Sequence, residues 1–96
     1  MKAKIQLKHP EGKKAVMMAS ARYTSLKKAL LNHLKKNGES TFEEMCQAVT
    51  EYFKKSKIKF EGSIPWHVEW IKLDLEANRI IARIPKTSPQ KYILIK

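Results

Sequence analysis

The feature that most constrains this chain is a helical segment with two apolar faces, SIPWHVEWIKLDLEANRI, in which Ser63 suits the N-cap. At about 100° per residue, two sets of apolar side chains fall on nearly opposite sides. They are Ile64, Val68, Ile71 and Leu75 on one side, and Trp66, Trp70, Leu73 and Ala77 on the other. The first face is expected to contact two preceding helices. The second needs a cover from the N-terminal segment, a C-terminal hairpin or a second copy of the chain. We therefore predict a central scaffold helix.

Two amphipathic segments precede this helix. The first is predicted to be a helix over Ser20–Asn37. The second, STFEEMCQAVTEYFKKS, begins with two alternative capping boxes, Ser40 with Glu43 or Thr41 with Glu44. Their apolar stripes are Tyr23, Leu26, Leu30 and Leu34 in the first, and Phe42, Met45, Val49 and Phe53 in the second. Because only a few residues separate the two helices, they are expected to pack against each other.

Short strands are predicted at both ends of the chain. Near the N-terminus, strands at Ala3–Lys8 and Lys14–Met17 flank a turn at Pro10–Gly12. Near the C-terminus, RIIARI and QKYILI are joined by the polar loop Pro85–Pro89. Three helices followed by a hairpin is the order of a winged helix. We predict one α+β winged-helix domain, with an N-terminal strand or hairpin at 1–18, a three-helix core at 20–79 and a wing at 80–96.

Three stretches, HPEGKKA, TFEEM and especially WIKLDLEANRII, resemble a group of short bacterial domains of unknown function with a winged-helix fold. The resemblance covers nearly the whole chain and is most specific at KLDLEA and the wing that follows. One departure is that Asn78 and Arg79 stand where a glycine is expected after LDLEA, although asparagine can adopt the same left-handed turn. The resemblance implies the fold and a bacterial origin, and it assigns no function.

The charge of the chain points to a polyanion as partner. The net charge is +11 over 96 residues, and a small chain this basic often binds nucleic acid, although solubility alone is the other explanation. There are ten basic residues (Lys and Arg) and one acidic residue in the segment 1–38. The segment 39–61 has four basic and five acidic residues, and the segment 62–96 has six basic and three acidic residues. The positive excess therefore lies in the N-terminal segment and the first helix.

The third helix is poorly suited to base recognition. The acidic side chains of this helix would repel phosphates. Lys72 is the only candidate for a base or phosphate contact on the body of the helix. The alternative is that Lys72 forms local pairs with Glu69 and Glu76 on a solvated face. Other candidates lie on the outer side of the first helix and, as the winged-helix resemblance implies, on the wing. The predicted nucleic-acid contacts are Arg22, Lys27, Lys28, Lys35, Lys72, Lys86 and Lys91, and the predicted protein interface is Trp66, Trp70 and Leu73.

Other classes of function have little support in the sequence. The chain has no apolar run of membrane-spanning length and no signal-peptide pattern, so a cytoplasmic location is expected. His9, His33 and His67 lack metal-ligand spacing, and the single cysteine, Cys46, is expected to be a buried structural thiol. No cofactor, small-molecule substrate or catalytic constellation is predicted. The favoured function is binding of double-stranded DNA through phosphates, and the alternative is a protein-interaction or homodimerisation module.

Overall fold

A computed structural model describes residues 3–57, 59–60 and 62–95. The chain forms three helices and five short strands within these residues. They are β1 (Lys4–Gln6), β2 (Met17–Ala19), α1 (Ser20–Asn37), β3 (Glu39–Thr41), α2 (Phe42–Lys55), α3 (Ile64–Ala77), β4 (Ile81–Ile84) and β5 (Lys91–Leu94). The predicted α+β class and the three predicted helices are confirmed. None of the described helices is both long enough and apolar enough to cross a membrane.

The N-terminal hairpin is present, but its second strand begins later than predicted. β1 and β2 pair antiparallel with Ile5 opposite Met18, so the strand covers Met17–Ala19 and not Lys14–Met17. This register places Met18 in the core, and β2 continues directly into α1. The predicted turn is confirmed, since the Gly12 N–H donates to the carbonyl oxygen of His9 at 2.9 Å.

The sequence did not predict β3. This three-residue strand joins the C-terminal hairpin in a sheet with the order β3-β5-β4, and Ser40 lies opposite Tyr92. Ser40 is buried, and its hydroxyl lies 2.9 Å from Nε2 of His33 and donates to the carbonyl oxygen of Thr41. No local pattern distinguishes such a short strand, because its partner lies at the other end of the chain.

Two of the three predictions for the residues at the helix ends are confirmed. Of the two possible capping boxes, Thr41 with Glu44 forms, and the two hydrogen bonds from Thr41 lower the pKa of the Glu44 carboxyl. Ser63 caps α3 by accepting the Trp66 N–H at 3.2 Å. The left-handed residue after α3, however, is Arg79 with a φ of 58° and not Asn78. Asn78 keeps a right-handed φ because its side-chain amide donates to the carbonyl oxygen of Asp74.

The two faces of α3 have different surroundings. Its first face is buried in one core with α1, α2 and the hairpins, as predicted, with Val68, Ile71 and Leu75 fully enclosed and Ile64 packed at the edge. On the second face, Trp70, Leu73 and Ala77 are half-buried, and Leu73 lines a groove together with the turn after β1 and with β4. Trp66 is 47% exposed. The described hairpins thus cover the second face only in part.

Candidate nucleic-acid interface

Asp74 attaches the N-terminal hairpin to the helical core. Its side chain is 2% exposed; Oδ2 accepts the Tyr23 hydroxyl at 2.6 Å, and Oδ1 accepts the backbone N–H of Lys8 at 2.8 Å. Burial raises the pKa of Tyr23 well above its usual range, and the hydrogen bond and charge of Asp74 raise it further. Asp74 is therefore enclosed within the domain and is not one of the acids that would repel a phosphate at the surface. We call this arrangement the Asp74 anchor.

Lys72 is buried, so the prediction that it contacts phosphate does not fit the structure. It is 5% exposed, its ammonium pairs with Glu69, and it donates to the Tyr92 hydroxyl at 3.2 Å. The ammonium nitrogen of Lys72 lies 5.5 Å from the centre of the Phe42 ring and 5.1 Å from the centre of the Tyr92 ring. Burial alone would lower the pKa of Lys72, but the hydrogen bonds to Glu69 and Tyr92 outweigh it and raise the pKa. The local Glu69–Lys72 pair was predicted, but its lysine is not solvated.

Glu76 pairs with β4 and not with Lys72. Its carboxylate accepts from Nε of Arg83 at 2.9 Å, and this hydrogen bond raises the pKa of the guanidinium. All three carboxylates of α3 thus have partners within the domain. Its exposed side chains are Pro65, Trp66 and Glu69, all in the first half of the helix. α3 therefore lacks the row of exposed polar donors with which a helix recognises base edges.

Two of the predicted cationic contacts have internal partners. Arg22 donates to Nε2 of His67 at 3.2 Å and stacks over the Phe60 ring at 5.1 Å. Because arginine can only donate, Nε2 of His67 accepts this hydrogen bond, and Nδ1 is left to donate to the carbonyl oxygen of Ser63, which lies 2.7 Å away. Lys91 pairs with Glu39 at 3.0 Å, and this hydrogen bond raises the pKa of Lys91. The charge of Lys91 is therefore neutralised by its partner. Arg22 keeps its charge, but its guanidinium is held against His67 and Phe60.

The remaining predicted contacts are on the surface. Lys28, Lys35 and Lys86 are exposed, and none has an ion pair with another described residue. Lys27 is half-buried, with its ammonium 5.6 Å from the centre of the Tyr23 ring. Tyr23 and the backbone of Lys8 both bond to Asp74, so α1 and the N-terminal hairpin meet at this carboxylate.

The site prediction omitted two basic segments. In the loop of residues 7–16, which we call the hairpin loop, Lys8, Lys13 and Lys14 are exposed around a cavity of about 520 Å³. The one acid of the loop, Glu11, lies 3.4 Å from Lys13. The second segment follows α2 and has the sequence KKSKIKF, with lysines at 54, 55, 57 and 59, all exposed. Paired lysines marked both segments in the sequence, but charge alone did not show which of them face solvent.

The described residues include no group of three or more potential metal ligands. Cys46 is half-buried against the core, and burial raises the pKa of its thiol, which disfavours the reactive thiolate. This environment fits the structural role predicted for the cysteine, although the side chain is less buried than expected.

A comparison with models of protein families assigns the chain to one family. The model of one family, described as "Family of unknown function (DUF6958)", matches residues 4–92. The chain belongs to DUF6958. This confirms the resemblance to domains of unknown function. The DUF6958 match contains the Asp74 anchor, Lys72 and its partners, and both basic segments. No curated protein and no solved structure matches the chain.

Proposed function

We propose that this protein binds nucleic acid without catalysing a reaction, through lysine contacts to backbone phosphates. The supporting observation is that the acidic side chains of α3 have partners within the domain, whereas most of the surface lysines do not. The three carboxylates of α3 are occupied by Tyr23, Lys72 and Arg83. Most predicted and newly found surface lysines have no such partner among the described residues. A chain with net charge +11 therefore directs most of its positive charge outward, where it can displace counterions from a phosphate backbone.

We further propose that the fold is a winged helix. The order α1, β3, α2, α3, β4, β5 supports this, as does the pairing of β3 with the C-terminal hairpin. Double-stranded DNA is the partner that this fold suggests first. Because α3 is largely enclosed, we propose that duplex binding depends on phosphate contacts and has little base specificity. A cytoplasmic location is part of the same proposal.

Fluorescence anisotropy with a labelled blunt duplex tests the proposal. With four phosphate contacts, affinity should fall about 150-fold between about 50 and 200 mM salt, since the log–log slope is about −0.9 per phosphate. Replacing Lys8 and Lys14, which are exposed and have no ion pair among the described residues, by glutamine should reduce the slope by about 1.8. Lys91→Gln removes the same kind of charge from an existing ion pair and should leave the slope nearly unchanged. Absence of binding at low salt would reject the proposal.

The wing allows a separate test of specificity. Lys86 is exposed in the loop between β4 and β5. Lys86→Ala should weaken binding about equally to unrelated sequences, because a phosphate contact carries no sequence information. A variant that lost preference for one particular sequence would indicate base recognition by the wing instead.

The alternative function, a protein-interaction or homodimerisation module, also has a specific observation in its favour. Large apolar side chains are exposed at several places, namely Met17, Trp66, Ile93 and Ile95. Covering such side chains with a partner would remove apolar surface from water, which favours association. Sedimentation equilibrium distinguishes this function from the first, because it should detect a dimer in the absence of nucleic acid.

A further inference from the structure

Trp66 combines exposure with a fixed position. It lies in the first turn of α3, and 47% of its surface is open to solvent. Its indole is edge-on to the His67 ring at 4.9 Å and to the Trp70 ring at 6.4 Å. His67 is itself held by Arg22 and by the carbonyl oxygen of Ser63. A large aromatic ring is therefore presented to solvent on a rigid support, with little conformational entropy left to lose on binding.

The basic segment after α2 is connected to Trp66 through a row of aromatic rings, with edge-to-face contacts of His67 to Phe60 and to Trp66. The centre of the Phe60 ring lies 5.1 Å from that of the Phe53 ring and 4.9 Å from that of the His67 ring. The His67 ring in turn contacts the indole of Trp66. Lys59 immediately precedes Phe60, and Lys57 is two residues further back; both are exposed. Residues 54–67 contain four lysines and one acid, Glu61. Phe60 and His67 thus link the exposed indole to a short segment of concentrated positive charge.

We propose that Trp66 stacks on a nucleobase of single-stranded nucleic acid, while Lys57 and Lys59 contact the flanking phosphates. This inference rests on the proposed function and names the form of nucleic acid that this part of the surface prefers. A cationic strip beside an exposed aromatic ring is the usual arrangement for binding single strands, because every unpaired base has a π-face. The bases of an intact duplex already stack on each other, so Trp66 has no free face to meet there.

A second copy of the chain fits this surface less well. A symmetric contact brings the same patch of both subunits together. Here it would place the lysines of two basic segments near each other, in molecules that each carry a net charge of +11. Like charges at an interface oppose association, whereas a polyanion neutralises them.

Intrinsic fluorescence provides a direct test, because the chain has only two tryptophans. In the Trp70→Phe variant, Trp66 is the sole indole. Oligo(dT) and oligo(U) should each quench its emission, while a blunt duplex that binds with measurable anisotropy should leave the emission unchanged. Quenching by only one of the two oligonucleotides would identify DNA or RNA as the preferred strand and would still support the proposal.

Affinity measurements give the second readout. Trp66→Ala should weaken binding to oligo(dT) about 5- to 150-fold, the range observed when one stacked aromatic is removed. Met17→Ala is the matched control, since it also removes an exposed apolar side chain but lies on β2. Replacing Lys57 and Lys59 by glutamine should lower both the affinity for oligo(dT) and its salt dependence. Circular dichroism checks that each variant remains folded.

Three results would overturn the inference. If oligonucleotides bind without quenching Trp66, and Trp66→Ala binds as tightly as the parent, stacking is wrong while phosphate binding stands. If neither single strands nor duplex bind at low salt, the proposed function fails together with the inference. If sedimentation shows a dimer that Trp66→Ala dissociates, this surface is occupied by a second copy of the chain.

Discussion

Replacement of Asp74 by alanine removes both acceptors of the Asp74 anchor at once. The Tyr23 hydroxyl and the Lys8 backbone N–H, now 2.6 and 2.8 Å from its oxygens, would lose their partner. A hydrogen bond to a charged group contributes about 1.5–3 kcal/mol. Because Tyr23 is only half-buried, water can replace part of this loss. We therefore expect a decrease of about 3 kcal/mol in the free energy of unfolding, out of about 5–14 kcal/mol for a chain of this length.

Urea unfolding and absorbance titration of tyrosine measure the two consequences. The unfolding midpoint should fall. The pKa of Tyr23 should also fall but stay above its usual value, because burial, the largest cause of the shift, would remain. In a Tyr23→Phe background, Asp74→Ala should cost about 1.5 kcal/mol less, since one of its two bonds is already missing.

Glu11→Ala is the control for the Asp74 substitution. It removes an exposed carboxylate from the hairpin loop, where its pair with Lys13 lies at the surface. Its effect should remain within about 0.5 kcal/mol. If Asp74→Ala were equally mild, and the titration of Tyr23 did not change, the Asp74 anchor would not hold the hairpin to the core and the reasoning would be refuted.

Three further predictions concern stability. Thr41→Ala should lower the free energy of unfolding by about 1 kcal/mol through loss of the α2 cap, as measured by urea unfolding. Arg79→Gly should raise the melting temperature, because it relieves a left-handed conformation that costs other residues about 1 kcal/mol, whereas Asn78→Gly should lower it. The pKa values of Tyr23 and Lys72 are both raised in the fold, so their contribution is complete below about pH 10 and is lost as pH rises through the folded values. The urea midpoint should therefore fall from about pH 9 to 11, and Tyr23→Phe should reduce that fall.

Local sequence was sufficient to predict the helices and the need for a central one. The apolar spacing of α1, α2 and α3 and the cap residues Thr41 and Ser63 all act within one or two helical turns. The same spacing predicted that both apolar faces of α3 are covered, which is confirmed for the first face and only in part for the second, where Trp66 is exposed. The spacing did not determine which segments provide this cover, because the hairpins that partly cover Leu73 and Ala77 lie far away in the chain.

The roles of the charged side chains were decided by the tertiary structure. Asp74 lies 66 positions from Lys8, Arg22 lies 45 from His67, and Lys91 lies 52 from Glu39. A helical projection places Asp74 on an acidic edge and Lys72 on a solvated one, since it contains only neighbours along the same helix. The electrostatic role of a side chain depends on distances in space and on burial, both of which follow from how the hairpins pack on the helices. The sequence by itself therefore determined how much positive charge the protein carries, while the tertiary structure decided which of its charged groups remain free to meet a partner.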